Sequence, residues 1–179
     1  MIYLFLANGF EEIEALCPLD LLRRAGLKVT TVGVGGTRIV GAHGIAVEAD
    51  IADGDYADDA PEAVILPGGM PGAKNLDESR TVDVAIFAAA HRGALIGAIC
   101  AAPFLLGRRG LLAGKEAICF PGFEPELKGA VISKKRVVRD GNIVTAAGMG
   151  VALDFGLALV AALKGEESAA ALRRAVLAD

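Results

Sequence analysis

The chain has 179 residues, of which 54% are apolar, and a formal net charge of −4. This length and apolar content predict one domain over residues 1–179, and the scattered basic residues exclude specific nucleic-acid binding. No apolar run approaches the roughly 18 residues of a membrane span, and no basic leader precedes the first apolar segment, so we expect a cytoplasmic protein without membrane association. Two histidines are too few for a histidine-rich zinc site.

Short apolar segments alternate with amphipathic ones along the first half of the chain. The five apolar residues Ile2–Leu6 are typical of a strand that is covered on both faces. Spacing, glycine stops and turn residues predict the next elements: a helix at 12–25, a strand at 28–32, a hairpin of 37–40 with 45–48 at the sheet edge, and a loop at 50–61.

The second half of the chain repeats this alternation. A buried strand is predicted at 63–66, and an apolar stripe from Val82 to Ala89 predicts a helix that covers the sheet. The remaining predicted elements are strands at 94–99 and 116–120, a helix at 101–109, a hairpin of 137–139 with 143–145, a helix through Leu153 and Val160, and a last helix at 166–177. The repeated order of strand and helix predicts an α/β fold with a mainly parallel sheet.

Three predicted strands end in turns that carry chemically useful residues. In an open parallel sheet, ligands bind beyond the carboxyl ends of the strands. The turn after the first strand leads to Glu14, the turn after the strand at 63–66 contains Gly68 and Gly69, and the strand at 94–99 ends at Cys100. We therefore expect a carboxylate, a glycine loop and a thiol on one rim, with the cysteine on a strand-to-helix elbow.

Each of these groups suits a step of nucleophilic chemistry. The amides and the positive dipole end of the helix after Cys100 are expected to favour the thiolate. The backbone N–H groups of Gly69 and Ala101 are candidate oxyanion donors beside the sulfur. If Glu14 is partly buried, its carboxyl should keep a proton and donate it to the sulfur or to a substrate oxygen.

A second interpretation gives the same residues structural roles only. A single buried cysteine is usually an inert apolar side chain. Glu14 on a charged helix start is commonly solvated, with Glu11 and Glu12 complementing the helix dipole. Cys17 on an apolar helix face and Cys119 in a strand are predicted to pack in the core. The residues alone leave both interpretations open.

Several motifs occur in one order between residues 2 and 177, and together they resemble the ThiJ/PfpI superfamily, in the branch of the parkinsonism-associated deglycase and its bacterial homologues. The motifs are Asn8-Gly9-Phe10-Glu11-Glu12-Ile13-Glu14, Pro18-Leu19-Asp20, Arg23-Arg24-Ala25-Gly26, Leu66-Pro67-Gly68-Gly69, Ala98-Ile99-Cys100-Ala101-Ala102-Pro103 and Ala152-Leu153-Asp154-Phe155. The resemblance implies a flavodoxin-like three-layer α/β sandwich, a homodimer, and no cofactor or metal.

The resemblance also implies roles for individual residues. Cys100 matches an oxidation-prone nucleophilic thiol, and Glu14 matches a glutamate that hydrogen-bonds the thiol or its sulfinic form. Gly69 and Ala101 match backbone donors at the sulfur. His43 falls where relatives place an arginine or histidine that approaches the site of the neighbouring subunit.

The implied activities are conversion of methylglyoxal to lactate without glutathione, removal of early glycation adducts, redox sensing and chaperone-like protection. The expected partner is therefore a small dicarbonyl or a glycated substrate. Residues 120–133 contain no histidine, although glyoxalase-competent relatives commonly have one there. That departure favours the alternative of a redox-responsive protein in which Cys100 is oxidised to sulfinic acid.

Three further departures narrow the function. Ala101 stands where the protease branch has a histidine, which disfavours proteolysis, and residues 146–151 lack the polar groups of relatives, which predicts an apolar pocket wall. Glutamine amidotransferases need a histidine downstream of the nucleophile, and the chain has none after His91. A plain phosphate or nucleotide module is a weaker hypothesis, because the glycine segments fit neither a dinucleotide motif nor a P-loop.

Overall fold

Strands and helices alternate along the chain. The computed structural model describes residues 1–57 and 60–178. These residues form, in order, β1 (Ile2–Leu6), α1 (Glu12–Arg24), β2 (Val29–Gly33), β3 (Arg38–Val40), β4 (Ala46–Glu48), β5 (Ile51–Ala52), β6 (Ala63–Leu66), α2 (Gly72–Asp77), α3 (Arg80–Arg92), β7 (Leu95–Ile99), α4 (Pro103–Arg108), β8 (Glu116–Ala117), β9 (Val131–Ile132), β10 (Val137–Asp140), β11 (Ile143–Ala146), α5 (Ala152–Lys164) and α6 (Glu166–Ala175). None of the helices in this part of the chain is long and apolar enough to cross a membrane.

In the described part of the chain, seven strands form a central sheet in the spatial order β10-β11-β7-β6-β1-β2-β5. Neighbouring strands are parallel except β10 and β11, which form the predicted hairpin. The mainly parallel α/β fold is therefore confirmed. The strands β1, β6 and β7, whose turns carry the candidate residues, are direct neighbours, with Leu4 of β1 beside Ile65 of β6.

Helices cover both faces of the sheet. Leu76 of α2 and Ile86 of α3 belong to the core cluster on one face, and Leu22 of α1 and Phe155 of α5 belong to the cluster on the other. Helices α1 and α5 approach closely, because a Cβ added at Gly156 would lie 2.6 Å from a Leu21 methyl carbon. The flavodoxin-like three-layer sandwich is confirmed.

The prediction for the sheet edge is wrong. Strands β3 and β4 pair with each other in a separate two-stranded sheet, and the edge beside β2 is taken by β5 from the predicted loop at 50–61. Residues 58 and 59 of that loop lie outside the described residues. The hairpin instead docks on the turn after β1, where Gly9 N–H donates to Val40 O and Ala42 N–H to Phe10 O, at 2.8 Å each.

The predicted strand at 116–120 is also shorter than expected. Only Glu116–Ala117 pairs as a strand, with β9. The next amides leave the ladder: Ile118 N–H donates to Thr145 Oγ1 at 3.0 Å, and Phe120 N–H donates to Cys100 O at 2.8 Å. This departure brings Phe120 beside Cys100.

Helix α2, which follows the glycine turn after β6, was not predicted.

Candidate active site

The turns after β1, β6 and β7 meet at the carboxyl edge of the sheet. The link is made by backbone as well as side chains, since Glu11 N–H donates to Gly68 O at 3.0 Å and Gly72 N–H to Gly9 O at 3.1 Å. The expected rim of carboxylate, glycine loop and thiol therefore exists in the folded chain.

Cys100 lies on a strained elbow between β7 and the turn that leads to α4. Its φ angle is 64°, a left-handed conformation that non-glycine residues rarely adopt. Such strain costs on the order of 1–3 kcal/mol and persists only where surrounding structure fixes it. Here Cys100 N–H donates to Ala146 O at 2.9 Å, and Cys100 O accepts from Phe120 N–H. The side chain is partly exposed, as an accessible nucleophile requires.

Glu14 is fully buried on the first turn of α1. Its Oε2 accepts the N–H of Gly68 at 3.0 Å, while Oε1 makes no full hydrogen bond within the described residues. Burial raises the pKa of Glu14 to about 7, against the smaller opposing effects of the Cys100 thiol and the Gly68 amide. The carboxyl therefore keeps a proton close to neutral pH, as expected for a buried glutamate.

The expectation that the amides and the dipole of the following helix favour the Cys100 thiolate is wrong. Burial raises the pKa of the Cys100 thiol, the charge and hydrogen bond of Glu14 raise it further, and the amides of Gly69 and Ala101 lower it by less. Helix α4 has six residues and begins only at Pro103, so its dipole is weak at the sulfur. Cys100 and Glu14 thus act as a coupled pair, in which the thiolate forms when the thiol proton passes to the Glu14 carboxylate.

Glycines leave the space in which this pair meets. A Cβ at Gly68 would lie 2.6 Å from both Cys100 Cβ and Glu14 Oε2. Gly69 has a φ of +86°, and its amide acts on the sulfur together with that of Ala101. Both predicted oxyanion donors are thus at the thiol. The sequence prediction gave no role to Gly68. Any larger residue at this position would displace Cys100 and Glu14.

His43 lies in the loop between β3 and β4, above the start of α1. Its Nδ1 lies 2.9 Å from Glu12 Oε2 and 3.7 Å from Glu11 Oε2, and its backbone N–H donates to Glu12 Oε1 at 2.8 Å. Its side chain is 67% exposed, and the hydrogen bond with Glu12 raises the pKa of His43. Approach to a neighbouring subunit remains a prediction for this residue.

Glu12 does more than complement the helix dipole, the role that the structural interpretation gave it. It is buried, and burial raises its pKa, but hydrogen bonds with His43 and nearby amides outweigh that effect and lower it. Glu11, Glu12 and His43 present ligand atoms within 4.8 Å of one another, a spacing that would suit a cation. Both Glu12 oxygens already bind His43, however, so this group links the hairpin to α1.

Phe120, Gly148 and Met149 form an apolar group next to Cys100, and the sequence prediction identified only residues 146–151, which do not include Phe120. A Cβ added at Gly148 would lie 3.3 Å from Phe120 Cδ2 and 4.0 Å from Cys100 Sγ. The side chain of Met149, the next residue, is half-exposed. The apolar composition of residues 146–151 was a signal for this wall. Cys119, as predicted, is buried, and Cys17 packs against the core but is partly exposed.

The comparisons with known proteins agree with this geometry. A model described as the DJ-1/PfpI family matches residues 1–162. Protein dj-1beta of Drosophila melanogaster is 35% identical over 175 residues, which are 96% of this chain and 94% of that protein. Glutathione-independent glyoxalase DJR-1.2 of Caenorhabditis elegans is 31% identical over 158 residues, which are 88% of this chain and 84% of that protein.

A solved structure extends the likeness to the whole described fold. Toxoplasma gondii DJ-1 in an oxidized form is 31% identical and superimposes with a TM-score of 0.94, covering 98% of this chain and 97% of that chain. The sequence match, the fold and the cysteine elbow lead to the same assignment. The chain belongs to the DJ-1/PfpI family.

Proposed function

We propose that this protein is a cysteine-dependent glyoxalase or deglycase that acts on small dicarbonyls or their glycation adducts. The observation that carries the proposal is the pairing of the strained, accessible Cys100 with the buried Glu14, whose pKa is raised to about 7. A general acid or base works best when its pKa lies near the working pH. The relative named as a glutathione-independent glyoxalase supports the choice of reaction.

In the first step Cys100 Sγ bonds to the aldehyde carbon of methylglyoxal. The thiol proton passes to the Glu14 carboxylate, and the carbonyl π electrons move onto the oxygen, which the amides of Gly69 and Ala101 stabilise. Glu14 then returns the proton to this oxygen and leaves a hemithioacetal.

Isomerisation and hydrolysis complete the reaction. A proton moves from the aldehyde carbon to the neighbouring carbon through an enediol, which converts the hemithioacetal into a lactoyl thioester. Water loses a proton to the Glu14 carboxylate as it attacks the thioester carbon, the C–S bond breaks, and Glu14 passes this proton to the departing sulfur. The sum is methylglyoxal plus one water giving lactic acid, so no cofactor is consumed.

The direct test is to incubate the purified protein with methylglyoxal and measure lactate. We expect turnover that Cys100→Ser abolishes and that Cys17→Ser leaves intact, because Cys17 is also partly exposed but lines a different groove, with Leu21 and Leu153. Lactate formation at an equal rate in Cys100→Ser would remove the thiol from the mechanism.

The second candidate is a redox-responsive protein in which Cys100 is oxidised to sulfinic acid. It is favoured by Glu14 Oε1, which is buried without a full hydrogen bond in the described structure and which, when protonated, can donate to a sulfinate oxygen. Mild peroxide followed by peptide mass spectrometry should add two oxygens at Cys100 before Cys17 and Cys119. Equal oxidation of the three cysteines would contradict this candidate.

A further inference from the structure

A small groove includes Gly148, whose Cβ position would lie 4.0 Å from Cys100 Sγ, so the groove reaches the thiol. Its volume is about 280 Å³, and its lining includes Phe120, Pro121, Ala147, Gly148, Met149 and Val151. This volume is at the lower end of ligand pockets, which span about 300–1,000 Å³. The groove therefore suits one substituent of a small substrate.

We propose that this groove binds the carbonyl substituent of the substrate, and that Phe120 and Met149 select 2-oxoaldehydes with an aromatic or similarly bulky apolar group over methylglyoxal. The inference rests on the proposed function, because it names the substrate class of the same site.

The position of Gly148 connects the groove to the reacting atom. A methyl group in place of its hydrogen would contact both Phe120 Cδ2, at 3.3 Å, and Cys100 Sγ, at 4.0 Å. The glycine thus leaves a gap between the ring and the sulfur. A substrate carbon bonded to the sulfur has this gap beside it, and its substituent can extend along the Phe120 ring.

A backbone hydrogen bond fixes the main chain of Phe120 next to the nucleophile. Phe120 N–H donates to Cys100 O at 2.8 Å, so the aromatic residue and the nucleophile are joined by one hydrogen bond. Both Phe120 and Met149 are 49% exposed, and each can bury further apolar surface only when something occupies the groove. Burial of that surface would favour an apolar substituent.

The charges at the groove support the same class of substituent. Among the described residues that line the groove, Arg136 carries a charge. Its Nη2 donates to Gly150 O at 3.2 Å, at the rim of the groove. A guanidinium at the rim of an aromatic site attracts the face of a further aromatic ring. The methyl group of methylglyoxal would make few contacts with the Phe120 ring or the Arg136 guanidinium.

The test uses two α-haloketones that label a thiol without turnover, phenacyl bromide and bromoacetone. Each forms a C–S bond at Cys100 while the C–Br bond breaks, bromide leaves, and the thiol proton passes to Glu14. The measured quantity is the ratio of the two labelling rates at Cys100, followed by intact-mass and peptide mass spectrometry. Because the same two reagents are compared in every variant, their intrinsic reactivities cancel.

We expect Phe120→Ala to lower the phenacyl-to-bromoacetone ratio about tenfold, the scale of losing apolar contacts in a pocket. The matched control is Phe87→Ala, since Phe87 on α3 is 50% exposed but lies outside the groove, and its ratio should equal that of the wild type. Phe120→Leu keeps an apolar side chain without the ring and should give an intermediate ratio. Circular dichroism establishes that each variant is folded.

The outcomes separate this inference from the proposed function. Lactate production together with an unchanged ratio in folded Phe120→Ala and Phe120→Leu would overturn the groove assignment and leave the glyoxalase proposal intact. A lowered ratio without lactate production would support the groove and contradict the glyoxalase reaction. An equal fall of the ratio in Phe87→Ala would overturn the assignment, because the effect would then not belong to the groove.

Discussion

The two sides of the thiol are built in different ways. The polar wall, which consists of Glu14, Gly68, Gly69 and Ala101, comes from the first turn of α1 and from the turns after β6 and β7, and buried hydrogen bonds of backbone N–H groups hold it. The apolar wall, which consists of Phe120, Gly148 and Met149, comes from segments outside those turns and exposes two large side chains. Rigid elements hold reacting groups with the precision that chemistry needs, whereas exposed loops can change without disturbing the core. We therefore assign the chemistry to the polar wall and the choice of substrate to the apolar wall.

The largest effect is expected from Glu14→Gln. The amide keeps the shape of the carboxyl but cannot accept the thiol proton, so kcat/KM for methylglyoxal should fall by about 10²–10⁴-fold, the usual contribution of a general acid or base. In the wild type, kcat/KM should rise with pH to about 7 and then level off, because the pKa of Glu14 is about 7 and its carboxylate is the proton acceptor.

The pH profile supplies the control for this prediction. Glu14→Gln should lose the inflection near pH 7 as well as the rate. A slow variant that retains the inflection would assign the titration to another group, and the polar wall would then lack its proposed base.

A second test displaces the pair without removing either member. A Cβ at Gly68 would come within 2.6 Å of both Cys100 Cβ and Glu14 Oε2, so Gly68→Ala should lower kcat/KM by about 10²-fold, as a misplacement of about 1 Å can. Gly54→Ala is the matched control, because nothing lies within 4 Å of its Cβ position. Equal activity of both variants would show that the thiol and the carboxyl need not be held so closely.

The same comparison explains which features the sequence could predict. Parallel strands bring their following turns to one edge, so strand order was enough to bring Glu14, Gly69 and Cys100 together. Phe120 was not predictable in this way, because it reaches Cys100 only after the chain leaves strand pairing at Ile118. The pKa direction of Cys100 was also missed, since it depends on burial and on a charge that comes from another segment.

A third test measures what the buried carboxyl costs in stability. The folded-state pKa of Glu14, about 7, lies above the usual carboxyl value of 4.5, so the folded chain binds this proton more tightly than the unfolded chain does. The associated stability is present below about pH 4.5 and is lost as pH rises through 7. In urea unfolding, the free energy of unfolding of Glu14→Gln relative to that of the wild type should therefore increase by about 2 kcal/mol between pH 5 and pH 8, at 1.36 kcal/mol per pKa unit. A difference between the two proteins that does not change with pH would mean that Glu14 does not titrate as proposed.

The smallest effect is expected on the apolar wall, from Gly148→Ala. The added methyl would meet Phe120 Cδ2 at 3.3 Å and approach Cys100 Sγ at 4.0 Å, which fills the gap next to the sulfur but leaves Glu14 and the amides of the polar wall in place. We expect kcat/KM to fall about tenfold for phenylglyoxal and less for methylglyoxal, because only the larger substituent needs the gap. The pH inflection near 7 should remain, and Gly54→Ala again serves as the control. If kcat/KM fell equally for both substrates and the inflection moved, the added methyl would be acting on the Cys100 and Glu14 pair. The assignment of chemistry to the polar wall and of substrate choice to the apolar wall would then be wrong.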